Sequence, residues 1–340
     1  MKVLITGGGG FLGSFLANNL LRRGKLIGKS GELEPIDEIR LLDYHFTSRS
    51  TDARIIELKG DLSDREIAYT AVGTKPNSVD GVFHLASMVS AECELNFDQA
   101  LHVNLDGGRH LLEASRRETT VSRFVFASSI ACFGGTDSKF IFSDRSKLLP
   151  RTTYGTTKAI LELLVNDYSR KGFIDGRSAR LPTVIIRPGR PNAAASSWAS
   201  GMIREPLAGE PCLLPVRRDQ SHPMSGYRTV IDSLIKLYEI SGISLGFDRA
   251  VGFPALKITP KDAHSAIQRF ASRTGVHIGE IIDEPNDTIQ KIVDGWATKI
   301  DGSRALALGL PMPPSLDEII CEYFEDFPTI GNAKKSTGEK

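Results

Sequence analysis

Tyr154 and Lys158 stand four residues apart in a segment, Tyr154 to Tyr168, whose apolar residues recur at helical spacing. That spacing puts both side chains on one face of a helix. Their chemistry is complementary. A phenol titrates near ~10 and is a poor base at neutral pH, but a neighbouring ammonium stabilises the phenolate and lowers that value. A tyrosine tuned in this way can take the proton of an alcohol while hydride leaves for a nicotinamide. Ser129 lies twenty-five residues before Tyr154, at the end of a predicted strand, where its hydroxyl can reach the same substrate oxygen. These three residue types, in this order, imply an alcohol–carbonyl oxidoreduction.

Such chemistry needs a hydride acceptor, and the opening of the chain is built to hold one. Lys2-Val3-Leu4-Ile5-Thr6 is a short run of strand formers, cut off by four consecutive glycines. From Phe11 the period changes: Phe11 with Phe15, and Leu12 with Leu16 and Leu20, mark a helix that Gly24 should stop. The glycines at Gly7, Gly10 and Gly13 sit between strand and helix as a dinucleotide turn requires. They give a tight turn, close backbone approach to a pyrophosphate, and close packing of helix on strand. The free N–H groups at the helix start form an anion site. A second strand, Ile39 to Asp43, ends in an acid suited to the ribose hydroxyls, which favours NAD over NADP; the alternative is that Asp43 is a strand-end turn residue. This acid arrives about ten residues later than the usual ~20. The segment Gly28 to Glu32 accounts for the extra length and reads as an inserted surface loop.

Strand runs recur at Ile55–Leu58, Gly81–Ala86, Arg123–Ala127 and Leu181–Arg187, with helical patterns between them. This rhythm predicts an α/β, Rossmann-type doubly wound parallel sheet with its ligand at the carboxyl ends of the strands. After about residue 190 the pattern loosens into a Pro-, Gly- and Ser-rich region. One helix there is clear, capped by Thr259, with Pro260 in its first turn and Asp262 completing a capping box. The expected organisation is an NAD-binding domain over 1–190, a smaller C-terminal substrate-binding lobe over 191–330 interleaved with the sheet, and a disordered tail over 331–340. In 340 residues, 42 basic against 41 acidic side chains leave a net charge of +1, without the basic stripe that nucleic acid demands. The longest apolar runs fall far short of the ~20 residues that cross a bilayer. Cys93, Cys132, Cys212 and Cys321 have neither metal-ligand spacing nor the density of a disulfide framework. The expectation is a cytoplasmic protein that binds no metal, membrane or nucleic acid.

As a set, these motifs resemble the extended short-chain dehydrogenase/reductases, the group of NAD-dependent sugar-nucleotide epimerases and dehydratases. The matching pieces are Thr6-Gly7-x-x-Gly10-Phe11-Leu12-Gly13, Asp61-Leu62, His84-Leu85-Ala86, Asn104, Ser128-Ser129 with Phe133-Gly134, and Tyr154-Gly155-x-x-Lys158. The resemblance implies Tyr154 as acid/base, Lys158 as its tuner and ribose ligand, and Ser129 on the substrate oxygen. Asn104 would sit on a helix, supporting Lys158 through water. It also implies cofactor contacts from Gly7, Gly10, Phe11, Leu12, Gly13 and Asp43. Asp61 and Leu62 would touch adenine, Leu85 and Ala86 the cofactor's backbone, and Pro182 and Thr183 complete its contacts. The segments Arg180–Thr183, Arg187–Ser197, Arg204–Gly209, Asn166–Gly172 and Val89–Glu92 are similar to the D-erythronate dehydrogenase branch. That branch is implied to oxidise the C2 hydroxyl of a four-carbon aldonic acid with NAD. Around Asp219 to Gly226 the chain departs from it: Gln220-Ser221-His222-Pro223-Met224-Ser225 stands where a Trp followed by Ser-Pro is usual.

A small acidic, sugar-derived substrate needs donors for its carboxylate. Ser90, Ser129, Arg187, Asn192 and Arg204 are the candidate contacts, with Arg187 or Arg204 as the cation unless both pair with acids such as Glu205. His84 reads as a strand-end histidine satisfied by backbone, Cys132 as a small hydrophobe, and Trp198 and Trp296 as packing residues. The competing function is a sugar-nucleotide epimerase or dehydratase, or a secondary-metabolism reductase, on the same scaffold. The resemblance further implies a homodimer, with Leu111, Leu112, Ile160, Leu161 and Leu164 available either to the partner or to the sheet.

Overall fold

The computed structural model describes residues 1–28, 30–47, 50–117, 123–134, 140–189 and 196–328. Its centre is a parallel seven-stranded sheet, ordered across its width as Ala250–Gly252, Asp175–Leu181, Arg123–Ser129, Gly81–His84, Lys2–Thr6, Glu38–Asp43 and Ile55–Lys59. Numbered along the chain, the order is 7-6-5-4-1-2-3. It reverses between the first strand and the fourth, and that switch point at the carboxyl edge is where open α/β sheets bind ligands.

Alternation along each strand explains the layers. Val3, Ile5, Ile39, Leu41, Phe83 and Val125 face one way, against Leu16 and Leu20 of the helix Phe11–Arg23 and Val230 and Leu234 of the helix Tyr227–Glu239. Leu4, Leu42, Val82, Phe124 and Phe126 face the other way, against Ala68, Leu111, Leu112, Leu161 and Val165. Leu111, Leu112 and Leu161 are therefore core residues. The first helix stops as its sequence requires, at Gly24 with φ 66°.

A separate core, including Ile185, Met202, Ile203, Leu214, Met224, Ile258, Ile267 and Ile319, holds the smaller lobe together. Its strand His222–Gly226 lies between Thr183–Ile185 and Leu256–Ile258. The capping box of Thr259 and Asp262 is present on the helix Pro260–Thr274. The chain crosses between lobe and sheet more than once: the helix Tyr227–Glu239 and the strand Ala250–Gly252, both beyond residue 190, belong to the sheet layer.

The insertion after the first helix is a β-hairpin, Lys25–Ile27 against Leu33–Pro35, and its connection, with residues 30–32 exposed, falls on the expected surface loop. One element differs from the sequence reading. The run Leu181–Arg187 is not the sixth sheet strand. That place is taken by Asp175–Leu181, and Thr183–Ile185 passes into the lobe. Asp-Gly-Arg-Ser-Ala-Arg-Leu is a poor central strand by composition, but its charges are matched. Arg177, with no exposed surface, donates to the carbonyls of Leu237, Tyr238 and Ile240 at 3.0, 2.5 and 2.9 Å and pairs with Asp175 at 2.6 Å. It therefore satisfies the open carbonyls at the end of the helix Tyr227–Glu239, where the helix dipole also favours a cation.

Candidate active site

The glycine turn is built by steric necessity. Gly7 has φ 73°, and a Cβ placed there would lie 2.9 Å from the backbone nitrogen of Ala86. A Cβ on Gly13 would lie 2.1 Å from the carbonyl oxygen of Gly7, so the helix can approach the turn only because that side chain is missing. Gly10, the N-cap, offers no side chain to the helix's first N–H groups, leaving a positive end open to an anion. Asp43 closes the turn from the neighbouring strand: its Oδ2 accepts from Gly9 N at 3.0 Å and its Oδ1 from His45 N at 3.3 Å. The turn role foreseen as an alternative for Asp43 is thus occupied, and the carboxylate stands at the end of the second strand beside the glycine turn.

Leu85 and Ala86 cross the switch point, donating backbone N–H groups to the carbonyl and hydroxyl oxygens of Thr6 at 3.1 and 3.3 Å. His84, buried beneath them, is paired through Nδ1 with the Thr6 hydroxyl at 2.8 Å, a side chain where the sequence suggested backbone. Burial holds its imidazole neutral, pushing its pKa down to about 3. Asp61 is exposed just past the edge strand, accepting from Ser63 N at 2.9 Å, and Leu62 is buried beside it. Pro182 is buried, and the Thr183 hydroxyl bonds His222 Nε2 at 2.7 Å. These residues fit a dinucleotide: an uncapped helix start, a side-chain-free turn and a carboxylate line one edge.

Ser129 ends the fifth strand, and Tyr154 and Lys158 lie in the first turns of the helix Thr153–Arg170, which Thr152 caps through its hydroxyl. The Ser129 hydroxyl accepts from Ala131 N at 3.1 Å and lies near enough to Tyr154 to act on its phenol. Lys158 is buried, donates to the carbonyl of Ala127 at 2.9 Å, and carries its ammonium 5.4 Å from the centre of the Tyr154 ring and 4.9 Å from that of Phe126. The strand and helix therefore bring all three side chains together. Burial pushes the Lys158 ammonium down to about 8. It raises the Tyr154 phenol, which the nearby Ser129 hydroxyl opposes. Cys132 is buried with its thiol pushed up to about 12, which suits an inert small hydrophobe.

Asn104 lies in a π-helical segment, Leu101–Asp106, a distortion common at functional sites. Its Oδ1 accepts from Met88 N at 2.7 Å, and its Nδ2 donates to Met88 O at 3.3 Å and Cys93 Sγ at 3.4 Å. Those bonds shape the loop that leads to Ser90, the half-buried first residue of a short helix. The two arginines differ. Arg204 is buried, donating to Arg187 O at 2.8 Å and Glu205 at 2.5 Å, so it pairs with the acid that the sequence reading offered as the alternative. Arg187 is half-buried and meets no carboxylate among the described residues; its pKa is lowered by burial and by the nearby Arg204. Asn192 lies outside the described residues, as does the tail 331–340.

Two buried residues were not foreseen. Glu162 ties Ser128 to Arg180; its place four residues after Lys158 was the available signal. His222, in the segment that departs from the branch pattern, lies 6.3 and 5.0 Å from the ring centres of Trp198 and Trp296, which pack around it.

Residues 3–223 match the model of the NAD dependent epimerase/dehydratase family. The chain is 41% identical over 326 residues to a D-erythronate dehydrogenase of Cupriavidus necator, covering 96% of this chain and 98% of that one. It is 35% identical to a D-erythronate dehydrogenase of Haemophilus influenzae, with 96% and 99% covered. A crystal structure described as a nucleoside-diphosphate-sugar epimerase from Agrobacterium tumefaciens superposes with a TM-score of 0.87 at 36% identity, covering 96% of this chain and 94% of that one. The glycine turn, the sheet order and these matches support NAD as cofactor, and the chain belongs to the NAD dependent epimerase/dehydratase family.

Proposed function

We propose that the protein oxidises the C2 hydroxyl of a small aldonic acid, such as D-erythronate, to the 2-oxo acid with NAD. The observation that carries this reading is the meeting of Ser129, Tyr154 and Lys158 beside the glycine turn, in a chain similar over its length to two D-erythronate dehydrogenases. Tyr154, as phenolate, takes the hydroxyl proton while Ser129 holds the same oxygen. The Lys158 ammonium stabilises that phenolate against the opposing effect of burial. NAD, when bound, accepts the hydride from C2. Gly7, Gly10, Phe11, Leu12, Gly13 and Asp43 would hold its pyrophosphate and first ribose, Asp61 and Leu62 its adenine, and Leu85, Ala86, Pro182 and Thr183 the remainder, with Lys158 on the second ribose.

The Arg187 guanidinium, which meets no carboxylate among the described residues, suits the substrate carboxylate, with Ser90 on the opposite wall and Asn192 on the same connection. Residues 1–190 would serve the cofactor and 191–330 mainly the substrate. We assign a cytoplasmic location and a homodimer. The helices Gly107–Arg117 and Thr153–Arg170 turn Leu111, Leu112 and Leu161 into the core but leave Leu163 62% exposed for a partner. No helix among the described residues is long and apolar enough to cross a membrane. The test is NADH formation across short aldonic acids. Steady NADH formation with D-erythronate supports the dehydrogenase. Tightly held NAD with no net reduction would point instead to an epimerase, the activity in the Agrobacterium structure's description.

A further inference from the structure

Glu162 lies four residues beyond Lys158 and eight beyond Tyr154, so the three share a face of the helix Thr153–Arg170. Only 2% of it is exposed. A buried carboxylate costs the fold heavily unless cations and hydrogen bonds match it. This one is matched fully. Its Oε1 accepts from the Ser128 hydroxyl at 2.5 Å, Arg180 Nε at 3.1 Å and the Cys132 thiol at 3.6 Å; its Oε2 accepts from Arg180 Nε and Nη2 at 3.1 and 2.8 Å. Arg180 continues to Asp144, at 3.2 Å to its carbonyl and 3.7 Å to its carboxylate. Asp144 in turn accepts from Gly252 N at 2.7 Å and Arg304 at 3.0 Å.

Apolar side chains could hold a helix on a sheet at least as strongly, so charge is not needed for adhesion. What the carboxylate adds is direction. Ser128 immediately precedes Ser129, and its hydroxyl fixes the strand end that carries the Ser129 oxygen. The same carboxylate is rooted in the helix that carries Tyr154 and Lys158. Errors of about 1 Å between groups that share one substrate oxygen cost on the order of 100-fold in rate.

We infer that Glu162 is a positioning residue for the reaction, holding the strand end that carries Ser129 in register with the helix face that carries Tyr154 and Lys158, through Ser128 and Arg180. The inference rests on the dehydrogenase chemistry proposed above. It has an electrostatic side as well. The groups facing Lys158 are Tyr154 and Glu162 on its own helix, Cys132 after the fifth strand, Cys93 on the helix Ser90–Leu95, and His84 on the fourth strand. Glu162 is the one carboxylate among them, and it favours the ammonium.

The test is steady-state kinetics with NAD and D-erythronate from neutral to alkaline pH, on Glu162→Gln, Ser128→Ala and Tyr154→Phe. Glu162→Gln is expected to lower kcat about tenfold with KM unchanged. It should also move the alkaline loss of activity to lower pH, because Lys158 loses a supporting negative charge. Ser128→Ala, which leaves the Glu162–Arg180 pair intact, should lower kcat by a smaller factor without moving that limb. A folded Glu162→Gln enzyme with wild-type kcat and pH profile would overturn the inference. If that variant does not fold, wild-type kcat in Ser128→Ala would do the same. Activity retained in Tyr154→Phe would instead overturn the underlying dehydrogenase reading.

Discussion

Replacing Lys158 with methionine should make the protein more stable while destroying its catalytic power. The ammonium is buried, and burial lowers its pKa from 10.5 to about 8. A change of that size costs the folded state about 3 kcal/mol at any pH below ~8, where both folded and unfolded chains carry the proton. Methionine, unbranched and one heavy atom shorter, fills most of the space against Phe126 and Tyr154, where sulfur contacts are favourable. It loses the hydrogen bond to Ala127 O, worth about 1 kcal/mol for a neutral donor. The net gain is about 2 kcal/mol at neutral pH. The sign with pH is definite. Between about 8 and 10.5 the unfolded wild type binds more protons than the folded one, so wild-type stability rises through that window. The advantage of Lys158→Met should therefore be constant below the window and shrink through it. Urea unfolding of both proteins over this pH range measures the difference. A wild type more stable than the variant at neutral pH, or a difference that does not change with pH, would refute the reasoning.

Three further outcomes are expected. Asp43→Ala should weaken NAD and make NADP relatively better, seen as a fall in the ratio of their kcat/KM values; an enzyme that already prefers NADP would contradict the ribose role. Arg187→Ala should raise KM for the acid substrate about tenfold or more with NAD affinity unchanged, because this half-buried cation meets no carboxylate among the described residues; unchanged KM would move the acid site elsewhere. Gly7→Ala should abolish NAD binding in a folded protein, since φ 73° and the 2.9 Å approach to Ala86 N leave no room for a methyl group; calorimetric titration reads this directly, and wild-type affinity would contradict it.

The strand–turn–helix opening was legible because glycine spacing and a change of hydrophobic period carry their own physics. The meeting of Ser129, Tyr154 and Lys158 was legible because helix geometry fixes the last two. What escaped was structure decided by tertiary contacts. Asp175–Leu181 becomes a central strand because Arg177 finds helix-end carbonyls and Arg180 finds Glu162, partners sixty residues ahead and eighteen behind in the sequence. The apolar run after it goes to the lobe, where Thr183–Ile185 pairs with His222–Gly226. Asp43 and Arg204 show the same limit at the site: their residue types announced possible chemistry, but only the folded neighbours show that one also closes a turn and the other is held by Glu205.

The central claim is that Tyr154 removes the proton from the C2 hydroxyl of a small aldonic acid as NAD is reduced. The most direct measurement is NADH formation from NAD and D-erythronate by the wild type and by Tyr154→Phe, with NAD affinity determined for both. The account predicts sustained turnover in the wild type and a loss of ~100-fold or more in kcat in the variant, with NAD affinity nearly unchanged. No NADH from the wild type with any short aldonic acid, or near-wild-type turnover without the phenol hydroxyl, would contradict it.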